Sequence, residues 1–425
     1  MIEILIVCNA LVWFAPILRY RDKAFYFMLA PLFLISSGYW IYPLLIEILG
    51  MNYSVVINVD HIQKVLKYSV LAGVCFHSGF FSRRKFTEDI VLKKIDLNKL
   101  LPPINIGIFL KPIVILILIY SYYEALGMIG ISDRKTFVSE IRPFWYDVLL
   151  RINALLLFIV VLFDFRKSNR VRPFYFSYFI IIFHIILVGF DGGRRDAIIP
   201  IFGMVTVLIV SYLNKGLSKK DIHRLLLMVI FSVGLSSFFA LGRSLPVGWT
   251  ILRSFDGLSS FDPGYFLVYI LAPMPTLHVN TAMSAFVDSY GYQGISSYLS
   301  AIGNTLFPRF IFQHYLFGEP LALSLQDKFG WFGFDFGFLA EGIYSGGWTT
   351  VGVTHFILGV MFKKSLKGIY SNSVYYTFCY IALIFAITNS FRSDFMNFSK
   401  SFLYIWIALS LAYLLLNRLA RLSQR

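Results

Sequence analysis

Charged residues are scarce in this chain of 425 residues. Only 14% of all residues are Asp, Glu, Lys or Arg, whereas 58% are hydrophobic and 18% are aromatic. A soluble domain carries about 25% charged and about 45–50% apolar residues, so this chain lacks the polar groups needed to cover a soluble surface. An apolar content this high also excludes a disordered chain. The composition therefore predicts a polytopic membrane protein.

Cysteine and metal-binding patterns are nearly absent as well. Cys8, Cys75 and Cys379 all lie in apolar stretches, and no C-x-x-C pair or Cys/His cluster occurs. A disulfide framework or a structural zinc site is therefore not expected. The sequence contains no Asp-x-Asp pair, the pattern that would indicate a divalent metal site. We therefore expect neither a metal nor another cofactor. The first apolar run has no small-residue cleavage site, and we interpret it as a retained anchor.

Long apolar segments dominate the chain. A membrane-spanning helix needs roughly 20 mostly apolar residues. By the hydropathy rule the sequence predicts an all-α fold, namely a polytopic membrane bundle of about eleven transmembrane helices. We expect this bundle to form a single integral membrane domain over residues 1–425. The predicted spans are 2–18, 24–48, 64–81, 104–122, 145–164, 173–190, 197–213, 225–241, 335–362, 373–390 and 400–417.

The distribution of basic residues accounts for the net charge of +15. If the N-terminus is outside, the basic clusters fall in the loops predicted to be inside and at an inside C-terminus, as the positive-inside rule expects. These clusters are 19–23, 83–99, 166–172, 215–224, 363–367 and 418–425. Because topology explains the charge, the lipid bilayer is the expected partner and nucleic acid is not.

One long segment, 242–334, interrupts the alternation of spans and short loops. Its apolar run 264–272 lies between two prolines and is too short to span a membrane. If that run did span, the basic cluster 363–367 would fall outside. We therefore predict one large external loop, with amphipathic or re-entrant helices in it. Loops of this length are usually functional.

Arginines lie at the external ends of several predicted spans, where the positive-inside rule predicts few cations. One explanation is that each arginine reaches the lipid headgroups or pairs with a nearby aspartate. The other is a shared anionic ligand, because the guanidinium group binds two phosphate oxygens at once and stays charged. The candidates for pyrophosphate contacts are Arg194, Arg195, Arg243 and Arg392, followed by Arg309.

A single carboxylate stands out in the apolar, small-residue stretch 338–347. A carboxylate such as Glu341 is costly there unless it is paired or functional. It is predicted either to accept a proton or to form a buried salt bridge with an arginine. Asp196 and Asp394 are further candidates for the base. Tyr344 and Trp348 suit stacking on sugar rings, although anchoring at the membrane interface is a common role for such residues.

Several short motifs resemble those of O-antigen polymerases of the Wzy type, within the broader group of oligosaccharide repeat-unit polymerases. They are Gly192–Asp196 at a span boundary, Leu241–Arg243 opening the large loop, Glu341–Gly347 with Gly352, and Asn389–Asp394 between the last spans. The layout of spans with one long loop in the C-terminal half is similar along most of the chain.

The resemblance implies an all-helical GT-C-like fold and a glycosyltransferase of the bacterial inner membrane. Its substrates would be undecaprenyl-pyrophosphate-linked oligosaccharides, joined on the periplasmic side, and a chain-length-regulating co-polymerase would be a further partner. For this chemistry we expect Glu341, Arg194, Arg243 and Arg392 to be the catalytic residues, and Arg195, Asp196, Arg309, Tyr344 and Asp394 to bind substrate.

Two other functions stay open at this point. An O-antigen ligase would be expected to rely on a histidine of the large loop, and either His278 or His314 could fill that role. A transporter or flippase for a polyprenyl-linked anionic substrate would also use arginines, but nearer to the middle of the bilayer. The clustering of the unusual cations at external ends favours chemistry on one side of the membrane.

Overall fold

The protein is all-α over the residues that its computed structural model describes, and no strand occurs among them. These residues are 1–18, 32, 35–36, 39–40, 59–82, 106–127, 144–167, 174–189, 199–201, 203–205, 208, 218–241, 276–307, 316–317, 321, 337–370, 373–390 and 395–422. Measured over this part of the chain alone, no helix combines the length and the hydrophobicity that crossing a membrane requires.

The main helices follow the order of the predicted segments. They are α1 (Ile2–Leu18), α2 (Val59–Phe81), α3 (Ile106–Gly127), α4 (Phe144–Lys167), α5 (Phe174–Gly189), α6 (Lys219–Leu241), α7 (Thr276–Tyr290), α8 (Ser296–Leu306), α9 (Phe338–Tyr370), α10 (Val374–Ser390) and α11 (Phe395–Leu422). Only short pieces of the segments 24–48 and 197–213 are described. Helices α7 and α8 confirm the expectation that the segment 242–334 contains helices.

Several helices extend beyond the apolar segments that predict them, because the helical backbone continues into neighbouring turns that contain charged residues. Helix α6 begins at Lys219 rather than near 225. The hydroxyl of Ser218 accepts the backbone N–H of Asp221 at 3.2 Å and so caps the N-terminus of that helix. Hydropathy does not detect such a polar first turn. Helix α9 likewise continues through the basic cluster 363–367 to Tyr370.

Contacts along the chain divide it into two compact units. The first comprises Met1–Lys94 and Leu271–Leu415, and the second comprises Ile95–Ile270 and Leu416–Arg425.

In the first unit, α1 and α2 pack side by side and run in the same direction. The side-chain amide of Asn9 donates to the carbonyl oxygen of Leu66 at 3.1 Å. Further along both helices, a ring nitrogen of His77 lies 3.1 Å from the carbonyl oxygen of Trp13. Later residues of α1 thus meet later residues of α2, which defines a parallel pair.

From Trp348 onward, helix α9 is also parallel to α2, and glycines bring the two backbones into direct contact. The rings of Tyr68 and Trp348 lie 4.4 Å apart near the beginning of this contact. Farther along, a Cβ on Gly79 would overlap the backbone carbonyl of Phe356, and Gly359 is equally close to the backbone of α2. Small residues permit this close approach of helices.

Helices α7 and α8 pack against different neighbours in the first unit. Asp288 near the end of α7 forms an ion pair with Lys64 in the first turns of α2. On α8, the backbone carbonyl of Thr305 accepts the hydroxyl of Tyr404 at 2.8 Å, and its side chain lies 2.6 Å from the hydroxyl of Ser399 on α11. Helix α8 therefore lies against the first turns of α11.

The second unit contains α3 to α6, which a polar cluster helps to hold together. Lys111 on α3 pairs with Asp164 on α4 at 2.7 Å, and the hydroxyl of Ser177 on α5 donates to the same carboxylate. The Tyr178 hydroxyl donates to the carbonyl oxygen of Met228 on α6 at 3.2 Å. Because one carboxylate joins three helices, this cluster fixes their relative heights.

Candidate functional site

The structure describes three of the site residues that the sequence predicts, Glu341, Tyr344 and Trp348, all in α9. His278 belongs to α7, but its side chain is outside the described part. The other candidates lie outside the described residues, and these are Arg194, Arg195, Asp196, Arg243, Arg309, His314, Arg392 and Asp394.

Glu341 is buried and binds the beginning of another helix. The residue is only 1% exposed, and its Oε2 atom accepts the backbone N–H of Phe395 at 2.6 Å. Phe395 is the first residue of α11. The N-terminus of a helix carries partial positive charge and unsatisfied N–H groups, so it favours a carboxylate at this position. Glu341 is therefore buried, and a main-chain donor is one of its partners.

Tyr298 of α8 lies beside this contact. Its ring packs edge-to-face on Phe395, with centroids 4.9 Å apart. Burial raises the pKa of the Tyr298 phenol well above its usual value, and the negative charge of Glu341 adds to this effect. A hydrogen bond with the Thr354 side chain lowers the same pKa, but by less. The phenol therefore stays neutral and keeps its proton, which makes it a hydrogen-bond donor next to a carboxylate.

The helix that carries Glu341 is broken a short distance beyond it. Gly346 and Gly347 have non-helical dihedral angles, and Gly347 adopts a φ of 58° that side-chain-bearing residues rarely adopt. A Cβ on Gly347 would lie 2.6 Å from the ring of Tyr292. The backbone N–H of Gln293 donates to the carbonyl oxygen of Tyr344 at 3.0 Å. The break thus ends the first part of α9 against the connection between α7 and α8.

Aromatic side chains gather around this break. Tyr344 stacks on Phe286 with centroids 5.7 Å apart, and the hydroxyls of Tyr68 and Tyr292 lie 3.4 Å apart. Trp348 and Tyr292 are 46% and 51% exposed. We define Tyr68, Phe286, Tyr292, Tyr344 and Trp348 as the aromatic cluster. Its rings offer flat apolar faces and its hydroxyls offer hydrogen bonds, a combination that suits the C–H faces and hydroxyls of a sugar.

An apolar pocket of about 390 Å³ adjoins the Glu341 contact, because Phe395 belongs to its lining. It lies between α8, α9 and α11, and Tyr298, Phe338 and Phe395 belong to its lining. Across the described residues, no group of three His, Cys, Asp or Glu side chains is arranged to hold a metal ion. The site therefore consists of a buried carboxylate at a helix N-terminus, together with a neighbouring group of aromatic rings and an apolar pocket.

Sequence reasoning missed Tyr298 and the pocket. Tyr298 lies in a short amphipathic helix, in which helical spacing does not distinguish its buried face from the apolar face of Leu299, Ile302 and Leu306. The pocket is assembled from three helices that are distant in sequence. No family model matches the chain, and no curated protein or solved structure shows significant similarity to it.

Proposed function

We propose that this protein is an oligosaccharide polymerase of a bacterial inner membrane that joins polyprenyl-pyrophosphate-linked repeat units on the external face. The observation that carries the proposal is the contact between Glu341 and Phe395. It brings the Glu341–Gly347 motif against the residue that directly follows the Asn389–Asp394 motif. Both motifs contribute to the resemblance, and a buried carboxylate lies where they meet.

The directions of the helices support the proposed membrane layout. In the predicted topology, the segments 2–18, 64–81 and 335–362 all run from outside to inside. Helices α1 and α2 and the part of α9 that follows its break are mutually parallel in the contacts described above. The first part of α9 turns back on the second, since a Cβ on Gly342 would meet Val351. At the predicted inside ends, Lys363 approaches the hydroxyl of Ser82 at 3.5 Å. At the predicted outside ends, α7 of the large loop pairs with Lys64.

The proposed reaction is an attack by an acceptor sugar hydroxyl on the anomeric carbon of the lipid-linked donor chain. A new glycosidic bond forms, and the bond from that carbon to the pyrophosphate oxygen breaks with its electron pair. Glu341 receives the proton of the hydroxyl. A carboxylate offers about four lone-pair positions on two oxygens, so accepting the Phe395 N–H leaves capacity for this hydroxyl.

The leaving pyrophosphate needs positive charge in the transition state. Arg194, Arg243 and Arg392 are the proposed donors, with Arg195 and Arg309 supporting them and Asp196 and Asp394 orienting the substrate or these guanidinium groups. Loss of one preorganised donor typically costs about 3–4 kcal/mol of transition-state stabilisation. Arg392 precedes Phe395 by three positions in the sequence, so the covalent chain links it closely to the residue that Glu341 binds.

The aromatic cluster is the proposed platform for the acceptor saccharide. Tyr344 is one helical turn from Glu341 on the same helix, so a sugar held on its ring would present a hydroxyl toward the carboxylate. The cluster also contacts the end of α7, which belongs to the large loop. A co-polymerase that regulates chain length is proposed as a further partner on the basis of the resemblance.

The test is polymer assembly in a host whose own gene is deleted. The gene is returned as wild type or as Arg194→Ala, Arg243→Ala or Arg392→Ala, and the surface polysaccharide is separated on a gel. We expect the wild type to give a ladder of long chains and each variant to give a single capped repeat unit. The expected loss of rate is about 100-fold or more.

The control is Arg418→Ala, which removes an exposed arginine at the end of α11. It is expected to leave the ladder unchanged, and immunoblots of membranes must show equal amounts of all variants. Long polymer from all three test variants would contradict the proposal. A deletion strain that fails to cap any repeat unit would point instead to a ligase or a flippase.

A further inference from the structure

Helix α8 runs along α11 and not across it. Tyr298, in the first turn of α8, packs on Phe395, the first residue of α11. Near the end of α8, the hydroxyl of Thr305 lies 2.6 Å from that of Ser399, and its carbonyl oxygen accepts the hydroxyl of Tyr404. Later residues of α8 thus meet later residues of α11, so the two helices are parallel. Because the proposed topology takes α11 from the external to the internal face, α8 points inward from the external face.

The first part of α9 returns toward the external face. A Cβ on Gly342 would meet Val351, and the ring centroid of Phe338 lies 6.4 Å from that of His355. Earlier residues of the first part therefore lie beside later residues of the second part, so the two parts are antiparallel. Since the second part runs inward in the proposed topology, residues 338–345 run outward.

The outer ends of these two short helices meet beside the break in α9. The hydroxyl of Ser297 lies 3.0 Å from that of Ser345, directly before the break. The preceding helix α7 is held at the predicted outside end of α2 by the ion pair of Asp288 with Lys64. Helix α8 and residues 338–345 therefore extend inward from a common outer end, and we define them as the re-entrant pair.

The inner end of α8 has polar main-chain groups that bond to protein. The last four carbonyl groups of a helix lack partners within the helix, and water often supplies them. Here the carbonyl oxygen of Thr305 accepts the hydroxyl of Tyr404 at 2.8 Å. The side-chain oxygen of the buried Asn304 accepts the backbone N–H of Phe317 at 3.3 Å. Non-helical backbone is tolerated at membrane depth where protein supplies such partners.

The side of α8 that faces away from the protein is apolar. Leu299, Ile302 and Leu306 follow one another at helical spacing and are 61%, 47% and 61% exposed. No charged residue occurs in the segment 289–308. This apolar stripe adjoins the exposed Ile357 in the second part of α9, since Ile302 and Ile357 line the same pocket. The stripe is therefore continuous with a surface that faces lipid in the proposed membrane layout.

We propose that α8 is a half-helix inserted into the external leaflet, with its apolar stripe against lipid acyl chains. The proposal rests on the proposed function only for the membrane and its topology. A helix on the membrane surface would lie across α11 and leave its end to water, which matches neither the parallel packing nor the bonded inner end. Leu306 follows Ser297 by nine positions, so at 1.5 Å per residue the stripe reaches roughly 13 Å inward from the outer end. The hydrocarbon core is about 30 Å thick, so α8 ends near its middle.

The experiment measures the depth of single nitroxide labels in the full-length protein, purified and reconstituted into vesicles of phosphatidylethanolamine and phosphatidylglycerol. The test labels are on the stripe, at Leu306→Cys and Ile302→Cys. Ser289→Cys, exposed near the end of α7, is the control in water, and Leu411→Cys, exposed in the predicted span 400–417, is the control in lipid. Serine replaces the native cysteines, which are Cys8, Cys75 and Cys379. Collisions with oxygen, which concentrates in hydrocarbon, are compared with collisions with a water-soluble nickel chelate.

We expect both test labels to collide more often with oxygen than with the nickel chelate, as at Leu411→Cys, and Ser289→Cys to show the reverse. A test label that meets the chelate as often as Ser289→Cys does would overturn the proposal, because α8 would then lie in water. A test label that meets neither would also overturn it, because protein, such as a second copy of the chain, would then cover the stripe.

A second measurement applies if the serine background does not fold. The otherwise wild-type chain then carries a fluorescent label at the introduced cysteine, in vesicles whose lipids are brominated in their acyl chains. We expect quenching at Leu306→Cys, beyond that of the labelled wild type, to match quenching at Leu411→Cys. No additional quenching at Leu306→Cys would overturn the proposal.

The lipid control distinguishes this inference from the proposed function. If Leu411→Cys lies in hydrocarbon while the test labels lie in water, only the insertion of α8 fails. If all labels lie in water, the membrane layout fails with it. Long polymer from the arginine variants, together with test labels in hydrocarbon, would remove the polymerase proposal and leave α8 inserted in the bilayer.

Discussion

Replacing the buried carboxylate separates its chemical role from its structural one. Glu341→Gln keeps an oxygen that can accept the Phe395 N–H but removes the charge, whereas Glu341→Ala removes both. A hydrogen bond to a charged group contributes about 1.5–3 kcal/mol and a neutral one about 0.5–1.5 kcal/mol, so the Gln variant should lose about 1 kcal/mol of stability. The Ala variant leaves a buried N–H without this partner, and we expect it to lose about 2–3 kcal/mol.

The chemical and the structural role of Glu341 predict similar losses of stability but very different losses of activity. Removal of a proton acceptor from the reaction typically costs about 100-fold to 10,000-fold in rate, which corresponds to roughly 3–5 kcal/mol of activation free energy. If Glu341 accepts the acceptor's proton, the Gln variant should therefore fold nearly as well as the wild type and yet make almost no long polymer. If Glu341 only holds the start of α11, polymer yield should follow stability.

The assay combines thermal unfolding of the purified variants with the polysaccharide gel. A loss of 1 kcal/mol lowers the Tm by about 2–4 °C in domains of 150–250 residues, so the Gln and Ala variants should differ measurably. Glu3→Gln, in the first turn of α1 and exposed, is the matched control and should change neither property. Normal long polymer from a stable Glu341→Gln protein would refute the proposed chemical role.

Two further predictions concern stability alone. Gly359→Ala should destabilise the purified protein by about 1–3 kcal/mol in thermal unfolding, since its Cβ would meet the backbone of α2. Gly234→Ala has open space around it and should be neutral or slightly stabilising, so equal effects of the two changes would contradict the described contact. Lys111→Met should lower the free energy of unfolding by an amount toward the lower end of about 3–5 kcal/mol, because its ion pair with Asp164 is only partly buried. The double variant Lys111→Met, Asp164→Leu should recover part of that loss, and losses that simply add would contradict coupling of the pair.

The helices themselves are largely predictable from hydropathy. The predicted segment 173–190 corresponds to α5 at Phe174–Gly189, and the segment 2–18 corresponds to α1 at Ile2–Leu18. Such segments are apolar on every side, so a window average finds them regardless of what packs against them. Bounds are less predictable where a polar cap or a charged turn extends the helix, as at Ser218.

The candidate site is predictable only in part. The apolar surroundings of Glu341 in the sequence indicate that its carboxylate is either paired or functional, because an unpaired carboxylate in such a stretch is costly. The partner Phe395 could not be predicted, since it is 54 positions away and contributes a backbone N–H that every residue except proline carries. The approach of the Tyr292 ring to Gly347 could not be predicted either, because only the folded chain brings the two together.

The contact between α2 and α9 also restricts what these positions can become. At Gly79 and Gly359 no side chain separates the two backbones, so neither water nor a lipid tail has space to pass between the helices there. Any larger residue at either position would have to push the two helices apart, so the pair moves as one unit only while both glycines are kept.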